Sequence, residues 1–149
     1  MRLFFTPMPT KWLARSRDVP RPWLERRLPF EGGHISVWQR ADIEPGAPKV
    51  LLADGWAGDA QQLRPQADTL AAAGFDPVLL DLPAHGRSSG VGEGEWRLTT
   101  DLYAETVLAV ARALDLERPV VLGCSMGGQI CLELALRHPD RFAAVIACQ

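Results

Sequence analysis

The sequence predicts an α/β fold, a mostly parallel sheet with helices on both faces. Three observations carry that prediction. Short apolar runs recur at residues 50–53, 77–80, 120–122 and 142–148, stretches of helical periodicity lie between them, and loops rich in Gly and Pro separate the two kinds of segment. A strand that is apolar on both sides needs cover on both sides, and helices connecting successive parallel strands supply it.

Taken in order, residues 28–30 and 34–39 are short alternating runs around Glu31, Gly32 and Gly33, which reads as a hairpin at an antiparallel edge. Pro45, Gly46 and Pro48 reset the chain before the buried run at 50–53, and a Gly-bearing loop follows over 54–58. Leu63, Ala67, Leu70 and Ala71 fall at helical spacing, with Pro65 in the opening turn and Gly74 as the C-cap. The strand at 77–80 runs into a loop where Pro83, Gly86 and Gly90 forbid regular structure. From 98 to 114, Tyr103, Val107, Val110 and Leu114 share one helical face, and Thr99 or Thr100 can cap it. After the strand at 120–122 comes a turn holding Ser125, then a helix over 128–138 that stops before Pro139.

With 149 residues, 47% of them hydrophobic, the chain can bury the core of one domain. The expected division is a basic, Pro-containing arm over 1–27 and a partial α/β domain over 28–149. The arm holds seven basic residues against Asp18 and Glu25, but Pro7, Pro9, Pro20 and Pro22 break any long amphipathic helix, so it reads as solvated and not as a membrane-surface helix. A net charge of −2 leaves no general basic face for displacing counterions from nucleic acid. No run approaches the ~20 apolar residues of a membrane span, and Leu3, Phe4 and Phe5 are too short a run for a secretory signal, so a cytoplasmic location is expected. Cys124, Cys131 and Cys148 are odd in number and form no Cys-x-x-Cys pair; they read as reduced, buried thiols, with neither metal nor cofactor expected.

The chemistry concentrates at Gly123-Cys124-Ser125-Met126-Gly127, a Gly-x-Ser-x-Gly pattern between a buried strand and a helix. So sharp a turn strains the backbone of its central residue, and Gly123 and Gly127 remove side chains that would clash there. Ser125 is thereby the candidate catalytic nucleophile. The amide of Met126 and the positive end of the following helix favour an oxyanion at the same spot, and Gly128 is expected to widen the approach. Cys124 reads as a small core residue.

In these residues the sequence resembles the α/β-hydrolase superfamily of serine hydrolases, in esterase, lipase and C–C hydrolase style, over nearly all of 28–148. Two further motifs match in order. Asp54-Gly55-Trp56-Ala57-Gly58 stands where the family usually has His-Gly-x-x-Gly, and the resemblance implies that Trp56 supplies the second oxyanion-hole amide. Asp54 departs from that pattern, and a carboxylate facing the site would oppose an oxyanion. Asp81-Leu82-Pro83-Ala84-His85-Gly86-Arg87-Ser88 is similar to the family's Asp-x-Pro-Gly-His-Gly-x-Ser, in which the His orders a loop and is not the base. Serine at the elbow, where Asp would point to a dehalogenase or epoxide hydrolase, implies acyl transfer from an ester, thioester or related small-molecule substrate.

The family's chain order of Ser, acid, His is not met after Ser125, which is followed by Glu133, Asp140 and His138. His138 lies 13 residues along the helix from Ser125, about 20 Å at 1.5 Å per residue, and His34 precedes the serine in the hairpin. The resemblance therefore implies a carboxyl-terminally truncated member of the fold, nearly inactive by itself, whose last strand is free to self-associate. The alternative is a non-catalytic α/β-hydrolase-like binding or interaction protein that holds a ligand over the elbow.

Overall fold

A computed structural model of the chain describes residues 22–90 and 98–148, so most of the expected basic arm lies outside the described residues. Six strands form one sheet: β1 Trp23–Phe30, β2 Gly33–Arg40, β3 Lys49–Ala53, β4 Asp76–Leu80, β5 Val120–Cys124 and β6 Ala144–Cys148. The helices are α1 Arg64–Ala72, preceded by a 3-10 turn at Ala60–Leu63, then α2 Thr100–Ala113 and α3 Met126–Arg137. In space the strands run β1-β2-β4-β3-β5-β6. The hairpin and its junction with β4 are antiparallel, whereas β3 pairs in parallel with β4 and β5, and β5 with β6.

That order puts β3 at a switch point. The chain leaves β3 for β4 on one side and later returns to β5 on the other, so the loops after β3 and β5 diverge and leave a crevice at the carboxyl ends of the strands.

Period-two alternation divides the core between the two sheet faces. Val50, Leu52 and Leu79 pack with Trp38, Leu63 and Ala67 under α1. Leu51, Ala53, Val78, Leu80 and Val121 face the other way, against Tyr103 and Val107 of α2 and Ile130 and Leu134 of α3. The predicted caps form: Thr99 accepts a hydrogen bond from the Leu102 amide at 3.2 Å, and Gly74 follows α1 with φ +89°. Phe142, expected within the last strand, precedes β6 and is buried in the α2/α3 side of the core.

The hairpin starts earlier than the sequence indicates. β1 begins at Trp23, so the boundary expected after residue 27 falls inside a strand. Trp23 is buried, its indole donates to Asp68 at 3.1 Å, and the Arg40 guanidinium lies 5.8 Å from its ring centroid. Glu25, Arg26 and Arg27 conceal this strand because β1 is a sheet edge, where charged side chains are at home. Among the described residues, no helix is long and apolar enough to cross a membrane.

Candidate active site

Between the end of β5 and the start of α3, Ser125 stands alone with φ 56° and ψ −117°. A non-glycine residue in that region of backbone space costs on the order of 1–3 kcal/mol and persists only where its surroundings over-determine it. They do so here. The Ser125 amide donates to the Cys148 carbonyl of β6 at 2.9 Å, and the Ser125 carbonyl accepts from the amides of Gly128 and Gln129 at 2.9 and 3.2 Å.

The elbow glycines are required by contact. A Cβ on Gly123 would strike the Gly127 carbonyl and lie 2.9 Å from the Cys131 sulfur; one on Gly127 would strike the Ala53 carbonyl at the end of β3. Gly128 does not widen the approach as expected. It is buried, and a Cβ there would lie 2.6 Å from the Cys148 carbonyl, so its lack of a side chain lets α3 sit down on β6.

The loop after β3 comes alongside the serine: a Cβ on Gly55 would lie 3.4 Å from Ser125 Cβ and 3.9 Å from its Oγ. Trp56, 71% exposed, borders a cavity of about 340 Å³ together with Ser125 and Met126. The N-terminal part of α2 adds Thr100 and Tyr103, Leu98 joins them from two residues before that helix, and α3 adds Gln129. None of these side chains is charged. Neither the Trp56 nor the Met126 amide is hydrogen-bonded within the described residues.

Asp54, at the mouth of this loop, does not line the cavity. Its carboxyl is buried against Gly58, and one oxygen, Oδ2, has no hydrogen-bond partner among the described residues. Burial pushes its pKa up from 3.8 to about 7, opposed in part by the Gly55 amide and reinforced by the charges of Asp59 and Asp81. Asp81 is also buried and raised, to about 6, by desolvation, although it accepts the Ala60 and Arg87 amides at 2.7 and 2.6 Å. By gathering those two amides Asp81 ties together the loops after β3 and β4, a role the sequence signals only through its place at the head of the Pro-x-His-Gly segment.

The histidines are engaged elsewhere. His85 is buried, its Nδ1 is 2.9 Å from the Pro83 carbonyl, and its ring meets Trp56 and Tyr103 edge-on at centroid distances of 6.4 and 5.7 Å. This is a loop-ordering arrangement. His34 clasps Ser89 at 2.8 Å and the Arg87 carbonyl at 2.9 Å. His138 caps the far end of α3. Ser125 Oγ has no hydrogen-bonded base among the described residues, and these contain no group of side chains fit to hold a metal ion. Of the three thiols, which form no disulfide, Cys131 alone is buried; Cys124 is half-buried and Cys148 exposed because β6 is a sheet edge.

A serine on a strained strand-to-helix turn, at the carboxyl end of a sheet in this strand order, defines a hydrolase-type elbow. Residues 48–149 match the family described as the alpha/beta hydrolase fold, and the chain belongs to that family. It is 36% identical over 104 residues to a Mycobacterium phage D29 protein named as a non-heme haloperoxidase, an alignment covering 70% of this chain and 36% of that one. With a 2-hydroxy-6-oxononadienedioate/2-hydroxy-6-oxononatrienedioate hydrolase of Cupriavidus pinatubonensis it shares 34% identity over 112 residues, 70% of this chain and 37% of the relative. Among solved structures, the thioesterase domain from the curacin biosynthetic pathway superposes with a TM-score of 0.75 at 26% identity, covering 84% of this chain and 43% of that domain. The chain thus spans well under half the length of these relatives.

Proposed function

We propose that the chain carries the nucleophile half of a serine hydrolase acting on an ester, thioester or related acyl substrate. The observation that carries this reading is the strained Ser125 at the head of α3 with the Gly55–Trp56 loop against it. In the proposed reaction Ser125 Oγ attacks the acyl carbon, the carbonyl oxygen becomes an oxyanion held by the Trp56 and Met126 amides, and the leaving group departs to give an acyl-enzyme that water hydrolyses. The base and acid that activate Ser125 come from outside the described residues, and without them the 149-residue chain is expected to turn over very slowly. Free thiols at Cys124, Cys131 and Cys148 fit a reducing compartment, in keeping with a cytoplasmic enzyme.

The test is labelling of the whole protein with a fluorophosphonate probe, followed by peptide mass spectrometry. A single adduct on Ser125, absent from Ser125→Ala, is expected; labelling that survives the substitution sinks the nucleophile assignment. The absence of a hydrogen-bonded base at Ser125 Oγ among the described residues leaves one other reading, a binding protein that holds a ligand in the cavity over the elbow without chemistry. That reading predicts ligand uptake with no adduct at all.

A further inference from the structure

We propose that Cys124 and Cys148 are a peroxide-sensitive thiol pair, a modification site at which a reversible disulfide latches β6 to β5 immediately before Ser125. The sheet register brings the two side chains together. β5 and β6 run parallel with Cys124 opposite Cys148, and directly opposed residues point to the same face. Their neighbours identify that face. Val121 and its partner Val145 both pack on the α2/α3 side, and a Cβ on Gly123 would lie 2.9 Å from the Cys131 sulfur of α3, whereas Val120, Leu122 and Cys124 pack on the α1 side. Alternation therefore sets Cys148 beside Cys124 and puts the sheet between that pair and Cys131. Neighbouring strands lie about 4.8 Å apart, inside the roughly 4.4–6.8 Å that disulfides span between Cα atoms.

The thiols differ in what they can do. Cys148 is exposed and open to an oxidant, and Cys124 is half-buried. Cys131 is buried, its thiol pushed up to about 12 chiefly by desolvation, which keeps it protonated and inert. With hydrogen peroxide as the oxidant, the Cys148 sulfur attacks one peroxide oxygen, the O–O bond breaks, and Cys148 becomes a sulfenic acid as a first water leaves. The Cys124 sulfur then attacks the sulfenic sulfur; the S–S bond forms, the S–O bond breaks and a second water leaves. The pair of thiols gives up two electrons and two protons, the peroxide takes them up, and a dithiol reductant reverses the change. Because the Ser125 amide donates to the Cys148 carbonyl, the bridge holds in place the strand end on which the strained turn is anchored.

The experiment treats the reduced 149-residue chain with hydrogen peroxide, caps the remaining thiols with N-ethylmaleimide and maps the unreduced digest by mass spectrometry, with fragmentation to tell Cys124 from Cys131. An intramolecular bridge between Cys124 and Cys148 is expected, with Cys131 capped, and dithiothreitol should restore all three thiols. In Cys124→Ser, dimedone should trap Cys148 as its sulfenic acid. Exchange of the Ser125 amide, followed by NMR, is expected to slow about tenfold on oxidation and to recover on reduction. None of these readouts depends on Ser125 acting as a nucleophile. A bridge that includes Cys131, a bridge joining two copies through Cys148, or thiols that persist at a peroxide dose that oxidises free cysteine overturns the proposal. So does a Ser125 amide whose exchange ignores the bridge, since β6 would then not be latched.

Discussion

Replacing Asp54 with Asn should make the domain more stable at neutral and alkaline pH, by an amount that grows as pH rises from about 4 to about 7 and is constant above that. Burial holds the Asp54 carboxyl at about 7 against an ordinary 3.8. Between those values the folded chain keeps a proton that the unfolded chain has shed, so folding is favoured at low pH and stability falls as pH rises towards the folded pKa. Each pH unit in that window is worth about 1.36 kcal/mol, giving at most ~4 kcal/mol over the whole interval and ~2.5 kcal/mol between about pH 5 and pH 7. Above pH 7 the loss is complete. Asparagine is close to the same size and cannot ionise, so this part of the pH dependence disappears. Urea titrations of both proteins across this range, read as midpoints at constant slope, measure the difference directly. Asp81, raised to about 6, leaves a residual slope in both. Equal pH slopes for wild type and Asp54→Asn would refute the reasoning, because they would mean that the carboxyl is solvated when ionised.

Two further outcomes follow from close contacts and from the sheet edge. Gly127→Ala, which sets a methyl against the backbone carbonyl of Ala53, should destabilise by roughly 3 kcal/mol, whereas Gly32→Ala, with open space around it and only an unfavourable φ to bear, should cost about 1 kcal/mol; urea midpoints of the two variants check the ranking. The 149-residue chain, with β6 at the edge of the sheet and Ile146 43% exposed on it, is expected to self-associate, and Ile146→Lys should return it to a monomer in sedimentation equilibrium; an association constant indifferent to that change would remove β6 from the contact.

How much of this was legible beforehand depended on whether the signal was local. The elbow could be read because it is a steric pattern: Gly123 and Gly127 are what a crowded strand-to-helix turn demands, and the collisions found at both positions are those the spacing implies. The strands β3 and β4 could be read because both faces are buried and, after Lys49 and Asp76, every residue is apolar, and β5 because it is apolar throughout although one of its faces is only half-buried. The start of β1 was hidden, since an edge strand tolerates Glu25, Arg26 and Arg27 and its one deep anchor, Trp23, is held by Asp68 from α1, 45 residues away. Gly128 misled for a similar reason: what it meets is Cys148, contributed by a strand far along the chain. Tyr103 fell on the correct helical face, but periodicity registers only that a side chain points inward. Whether its hydroxyl finds a partner is decided by the packing of α2 against the loop that carries His85. Asp54 looked like a threat to an oxyanion; its burial against Gly58 turns it into a question of proton affinity instead.

The hydrogen bond from the Ser125 amide to the Cys148 carbonyl makes the reactive position answerable to the rim of the sheet. Any opening of β6 away from β5 frees that amide to exchange with solvent and lets the strained turn relax towards ordinary backbone angles. Amide exchange at Ser125 is therefore a built-in gauge of how firmly β6 is docked. Whatever secures β6, whether a neighbouring strand or another molecule, also sharpens the aim of the serine without touching it.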